Sequence, residues 1–367
     1  MGVLLGNLGL FGMTALAPLG DSKMLRMVAE TGGVLLLFEV GLETDLAKLL
    51  GVGWTALAAA VFGISASMGL SYAVTSQLFS GAGWLTHLFI AGTVAATSVG
   101  ITARVLKDMG KANTQEARIV LGAAVADDVI GLVLLAVVSG LGAAHAAKLP
   151  AVLWIVGKAA LFLIAAAGVG RYGAQPAFNF AMRMKVPGAL LGVSICFCFA
   201  MAGISAWAGL APIVGAFAAG LVLDEVHYKD LLLSGERTVE ELLFPINTLL
   251  VPVFFVMVGF RVDVRSFASP GVLGFAALIT LAAALGKQVC GLAVREGGVS
   301  RLAVGIGMIP RGEVSLIFAG LGVSLAVVSQ TAYASLVLMV MLTTFITPPL
   351  LKYVMFKDRS PSAAAPR

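Results

Sequence analysis

Charge is scarce in this chain. Of 367 residues, 24 are lysine or arginine and 19 are aspartate or glutamate, 12% together, where a soluble domain carries about 25%. Too few polar side chains remain to coat a water-soluble globule of this size, and the same scarcity excludes a disordered chain. Cysteine and histidine occur three times each. Cys196, Cys198 and Cys290 all lie in apolar runs without clustered histidines, so Cys-x-Cys reads as small apolar helix residues and not as a soft metal site. The basic excess of +5 gathers into no phosphate-binding face, which argues against a nucleic-acid partner. Strand-type alternation over ~10-residue segments, the mark of a membrane barrel, is missing. A charged N-terminal region and a cleavage site are missing too, so no leader peptide is expected.

What fills the chain is apolar: 59% of residues are in the AVILMFWYC set, with a mean hydropathy of +1.01. A hydrocarbon core of ~30 Å takes about 20 apolar residues per helical crossing. Apolar segments fall near residues 1–12, 25–42, 52–76, 84–103, 118–140, 151–171, 187–207, 211–223, 242–260, 271–294, 301–326 and 331–355. They predict an all-α polytopic membrane protein of about twelve helices, with a single transmembrane unit over 1–356 and a disordered cytoplasmic tail over 357–367. The first segment reads as the end of a truncated helix, and 211–223 is short for a span. One set of alternate loops holds sixteen of the lysines and arginines and the other set five. By the basic-residue bias the first set, which includes 104–118 and the tail, is cytoplasmic.

Leu37–Leu46 aligns with Phe255–Val264 at an offset of 218, with Val40/Val258, Gly41/Gly259 and Asp45/Asp263 identical. The two segments are seven helices apart, so they cross in opposite directions. An inverted repeat with interrupted helices at the midplane is the architecture of secondary transporters. Asp127 and Asp128 stand near the middle of an apolar helix, where an ionised carboxylate is costly. They read as an ion or proton site. Adjacent positions lie about 100° apart on a helix, so the two cannot share one partner. Lys287 lies some 16 residues into its own segment, which favours pairing with an intramembrane carboxylate over snorkelling to the surface. Two segments carry helix breakers: Thr97, Ser98 and Gly100 in one, Pro310, Arg311, Gly312 and Glu313 in the other. Free carbonyls and opposed helix ends at such breaks suit ions. Arg311 and Glu313 either form a structural ion pair, with each other or with neighbours, or take part in transport. Glu39 is a weaker candidate, and His87, His145 and His227 read as solvated residues near loops.

Four motifs in this chain, Leu36–Glu43 (LLFEVGLE), Ala96–Arg104 (ATSVGITAR), Ala126-Asp127-Asp128 and Gly307–Val314 (GMIPRGEV), resemble those of the monovalent cation:proton antiporter-2 family, sodium/proton exchangers included. The resemblance implies two inverted five-helix repeats with two crossing interrupted helices. It divides them into core helices near 84–140 and 271–326 and dimer or scaffold helices near 25–76 and 187–260. It implies that Asp128 is the Na⁺- and proton-binding carboxylate with Asp127 beside it. Asp127 would pair with Lys287, and Thr97 and Ser98 would lie at the crossing. The double aspartate with a lysine favours electrogenic exchange of Na⁺ or Li⁺ over the K⁺/H⁺ exchange of relatives that often carry a Gln-Asp pair. The function expected is secondary antiport across a bacterial inner membrane by alternating access, from a homodimer, without cofactor or enzymatic chemistry. Against the family pattern the chain looks short by over one N-terminal helix, which puts the dimer in doubt. A channel would want a ring of carbonyls or charges from several subunits, and none is visible.

Overall fold

The computed structural model describes residues 1–8, 18–19, 22–43, 53–144, eight positions between 154 and 168, 188–234, 238–260 and 262–357, less the side chains of 99, 142–144, 224–234, 266, 268, 356 and 357. Among these residues no strand occurs. The helices are α1 (Gly2–Gly6), α2 (Lys23–Glu43), α3 (Trp54–Leu78), α4 (Trp84–Ala95), α5 (Val99–Asp108), α6 (Gln115–Ala144) and α7 (Ala189–Trp207). They continue as α8 (Pro212–Ser234), α9 (Val239–Phe260), α10 (Pro270–Gln288), α11 (Arg301–Gly307), α12 (Glu313–Ser324) and α13 (Gln330–Lys357). Among the described residues, seven spans are long and apolar enough to cross a membrane. Trp54, Trp84 and Trp207 stand exposed at helix ends, where amphipathic rings sit at headgroup level.

The expected segments map onto these helices with two informative differences. Segment 84–103 is two helices, α4 and α5, and segment 301–326 is also two, α11 and α12. The short segment 211–223 is the first half of α8, which runs 23 residues. The expected helix at 151–171 falls mostly, and Lys148, His145, the side chain of His227 and the tail beyond Lys357 entirely, outside the described residues.

Contacts divide the chain into two compact units. The first comprises Met1–Ala47 and Leu132–Arg265, the second Lys48–Gly131 and Ser266–Arg367, so the boundary falls inside α6. The first unit is built on close helix approach. A Cβ on Gly41 would lie 3.0 Å from Gly220 Cα, and one on Gly220 would meet the backbone of α2. Small residues let helices come this near where lipid offers no hydrophobic drive to associate. Within it Asn247 Nδ2 donates to Glu39 Oε2 at 2.7 Å, which gives Glu39 a buried partner on α9.

In the second unit α3 and α10 pack antiparallel. Gly63 meets Cys290 and Lys287, Ser67 meets Gly286, and Phe79 stacks edge-on against Phe275 at 4.8 Å. The seam of small residues on α3 thus packs on α10. Thr55 at the start of α3 donates to Glu296 at 2.6 Å. That bond holds the half-buried Glu296 carboxyl below its ordinary value. The expectation for His87 is corrected: it is 5% exposed, its ring edge-on to Tyr72 at 5.6 Å, so it is not a solvated loop residue. A histidine one turn inside a helix reads the same in sequence whichever way it faces.

Candidate ion-binding site

The site of the second unit forms where its two interrupted helices meet. Between α4 and α5 the backbone at Ala96 and Ser98 is extended (φ −65°, ψ 140° and φ −94°, ψ 110°). Between α11 and α12 residues 308–312 are non-helical, with Pro310 at the centre. Proline has no N–H to give, and it drives the preceding residue away from helix. A break strands backbone carbonyls in an apolar interior, and each must find a donor. Here they do. Thr102 Oγ1 donates to Gly307 O at 2.6 Å and Thr97 Oγ1 to Met308 O at 3.2 Å. Ser98 N donates to Pro310 O at 2.9 Å, and Thr344 Oγ1 to Arg311 O at 2.9 Å. The two breaks thus satisfy each other, with α13 supplying one donor. Gly312 is needed for the fit: a Cβ there would lie 2.7 Å from both Cβ and Oγ of Ser98.

Arg311 locks the crossing. Its side chain is fully buried. Nη1 donates to Ala96 O at 3.0 Å and Thr97 Oγ1 at 3.1 Å, and Nη2 to Ala283 O at 3.4 Å. The guanidinium therefore sits at the C-terminal end of α4, where the helix dipole favours a cation. These hydrogen bonds of Arg311 go to neutral oxygens and form no ion pair. The hydrogen bonds above go to α4, the first break and α10, and Glu313 is not among their acceptors.

Asp127 on α6 and Lys287 on α10 form an ion pair, Nζ to Oδ1 2.8 Å, with neither side chain exposed. Asp127 Oδ2 has no hydrogen-bond partner. Asp128 follows on α6, a third of a turn round, and is only half-buried. Of the sequence candidates, Thr97, Ser98 and Arg311 are brought together at the crossing, and Asp127 and Lys287 are joined beside it. Thr102, Thr344 and Ser315, whose Oγ donates to Ala96 O at 3.5 Å, are missed by sequence reasoning. A hydroxyl in an apolar helix usually bonds its own preceding turn, and only the partner helix shows that Thr102 and Thr344 reach across instead.

Chemically, the arrangement sets carbonyl and hydroxyl oxygens at the crossing and carboxylates beside it, in a setting where ionised groups are expensive unless matched. Among the described residues no group of three or more His, Cys, Asp or Glu forms a metal cluster.

The whole chain also matches known proteins. Residues 1–357 match the family described as sodium/hydrogen exchanger, transmembrane. The chain is 36% identical over 94% of its length to the high-affinity Na⁺/H⁺ antiporter NhaS3 of Synechocystis sp., covering 75% of that protein. It is 32% identical over 96% of its length to the Na⁺/H⁺-K⁺ antiporter GerN of Bacillus cereus, covering 89% of it. In fold it is similar to the sodium proton antiporter MjNhaP1 of Methanocaldococcus jannaschii, with a TM-score of 0.69 over 98% of this chain and 90% of that one at 16% identity.

Proposed function

Because the chain belongs to the sodium/hydrogen exchanger family and is a multi-pass membrane protein, we propose that it is a secondary antiporter exchanging Na⁺, or Li⁺, for H⁺ by alternating access. The observation that carries this reading is the pair of adjacent intramembrane carboxylates in unequal settings. Asp127 is sealed against Lys287, while Asp128 is half-buried. A carboxylate beside two broken helices can take a proton or a sodium ion, and binding one excludes the other. With the site alternating between the two sides only when loaded, that competition couples the two fluxes. Asp128 is the carboxylate that holds Na⁺ or H⁺, Asp127 and Lys287 set the charge around it, and Thr97 and Ser98 orient the crossing. No cofactor takes part. The chain lies in a bacterial inner membrane with its C-terminus in the cytoplasm, as the loop bias of basic residues supports, and works as a homodimer.

Purified protein in proteoliposomes tests the reading. Under an imposed pH gradient, Na⁺ and Li⁺ should drive proton movement at lower concentration than K⁺. Preference for K⁺ would establish K⁺/H⁺ exchange instead, and no proton movement with any of the three would end the antiport reading.

A further inference from the structure

The described residues include six buried side-chain polar atoms without a hydrogen-bond partner, and three lie on one side of the Lys287–Asp127 pair: Ser67 Oγ, Ser71 Oγ and His87 Nδ1. Five buried helical hydroxyls, those of Thr93, Ser139, Ser194, Thr343 and Thr347, donate to a carbonyl three or four residues back, and that of Thr102 reaches another helix. Ser67 and Ser71, wholly buried, do neither. Both belong to the face Gly63–Ser67–Ser71 of α3. A Cβ at Gly63 would lie 3.6 Å from Lys287 Nζ, and Gly286 packs directly on Ser67. The antiparallel register set by Gly63 with Cys290 and by Phe79 with Phe275 brings the small residues Ala282 and Ala283 opposite Ser71. Positions four apart on a helix are about 6 Å apart along its axis. That is the span of two hydrogen bonds through one water, and a buried water needs two to four polar partners.

We propose that this face of α3, from Lys287 past Ser67 and Ser71 to His87, is a hydrated seam that carries protons between the Lys287–Asp127 pair and the membrane side bearing Trp84. Each hydroxyl and each water accepts one hydrogen and passes on another. One proton enters at one end as one leaves at the other, and no other bond changes. The seam rests on the exchange reading for its role but not for its water.

Radiolytic hydroxyl labelling of the full chain in detergent micelles reads the water directly, whether or not the protein transports. Despite its burial, His87 should be labelled on the millisecond scale in the wild type and in Ser71→Thr, which keeps a hydroxyl. Labelling should fall in Ser71→Val, its isostere without one. An unlabelled wild-type His87 overturns the seam. For the proton role, proteoliposomes are compared in two modes: Na⁺/H⁺ exchange, and ²²Na⁺/Na⁺ counterflow at equal pH, which needs no proton. Ser71→Val should lose about tenfold or more of the proton-coupled rate and keep its counterflow, while Ser71→Thr keeps both. Ser67→Ala, which removes one oxygen, carries the same test if the valine variant does not fold. Equal losses in both modes would make the hydroxyls structural, and no loss in either would place the proton route elsewhere.

Discussion

Asp127 and Lys287 illustrate how little a buried charge is worth except in company. Taking one partner away leaves the other uncompensated in a sealed interior, a cost of about 3–5 kcal/mol. Asp127→Asn and Lys287→Gln should therefore each lower the melting temperature of the detergent-solubilised protein. The double variant Asp127→Asn/Lys287→Gln should recover most of the loss, since it removes both charges together. A double-mutant cycle on these melting data measures the coupling, and strictly additive losses would mean the pair contributes nothing specific. Arg311 is argued differently, because its role is geometric. A lysine there keeps the charge but cannot fork to Ala96, Thr97 and Ala283 as the guanidinium does. Arg311→Lys should lower both stability and exchange rate in the same melting and proteoliposome assays. Full retention of both would reduce Arg311 to a point charge.

The two interrupted helices are the element on which the site depends, and their cross-bonding makes specific demands. Thr102→Val would leave the Gly307 carbonyl unpaired in the interior, at about 1–3 kcal/mol. Gly312→Ala would drive a methyl group into Ser98, with an overpacking cost of about 1–3 kcal/mol. Ser98→Gly opens that space, so Gly312→Ala/Ser98→Gly should melt above Gly312→Ala alone. A double variant no more stable than the single would contradict the contact. The breaks themselves were legible in the sequence, since Pro310, Gly312 and the hydroxyls near 97 stand in runs that would otherwise continue as helix. The use of Thr102 was not legible. Nothing local separates a hydroxyl that bonds its own turn from one that bonds another helix. Nor was the burial of His87, which is set by Tyr72 and not by its neighbours in the chain.

For the molecule as a whole, membrane class, helix count and basic-residue bias follow from composition and periodicity alone, because a bilayer imposes length and polarity on every crossing. The helix Trp54–Leu78 sits by sequence beside α2 but packs with α10, a choice made by small residues at matching heights that hydropathy does not register. Net charge per cycle belongs to this scale as well. If two protons exchange for one Na⁺, one net charge crosses, and the membrane potential contributes about 2.3 kcal/mol per 100 mV. With Lys287 replaced by Gln one proton drops out, so exchange should become electroneutral. Clamping the potential with valinomycin and K⁺ should change wild-type rates and leave Lys287→Gln unaffected. Equal voltage dependence in both would show that Lys287 carries no transported proton.

Competition of Na⁺ and H⁺ for Asp128 is the claim on which the mechanism stands, and proton release in weakly buffered detergent solution reads it without a membrane. Adding Na⁺ to the wild-type protein near neutral pH should liberate protons in a saturable way. The folded Asp128→Asn protein should liberate none from that site, because an amide neither holds a transferable proton nor neutralises a cation. Sodium-induced proton release undiminished in Asp128→Asn would contradict the account.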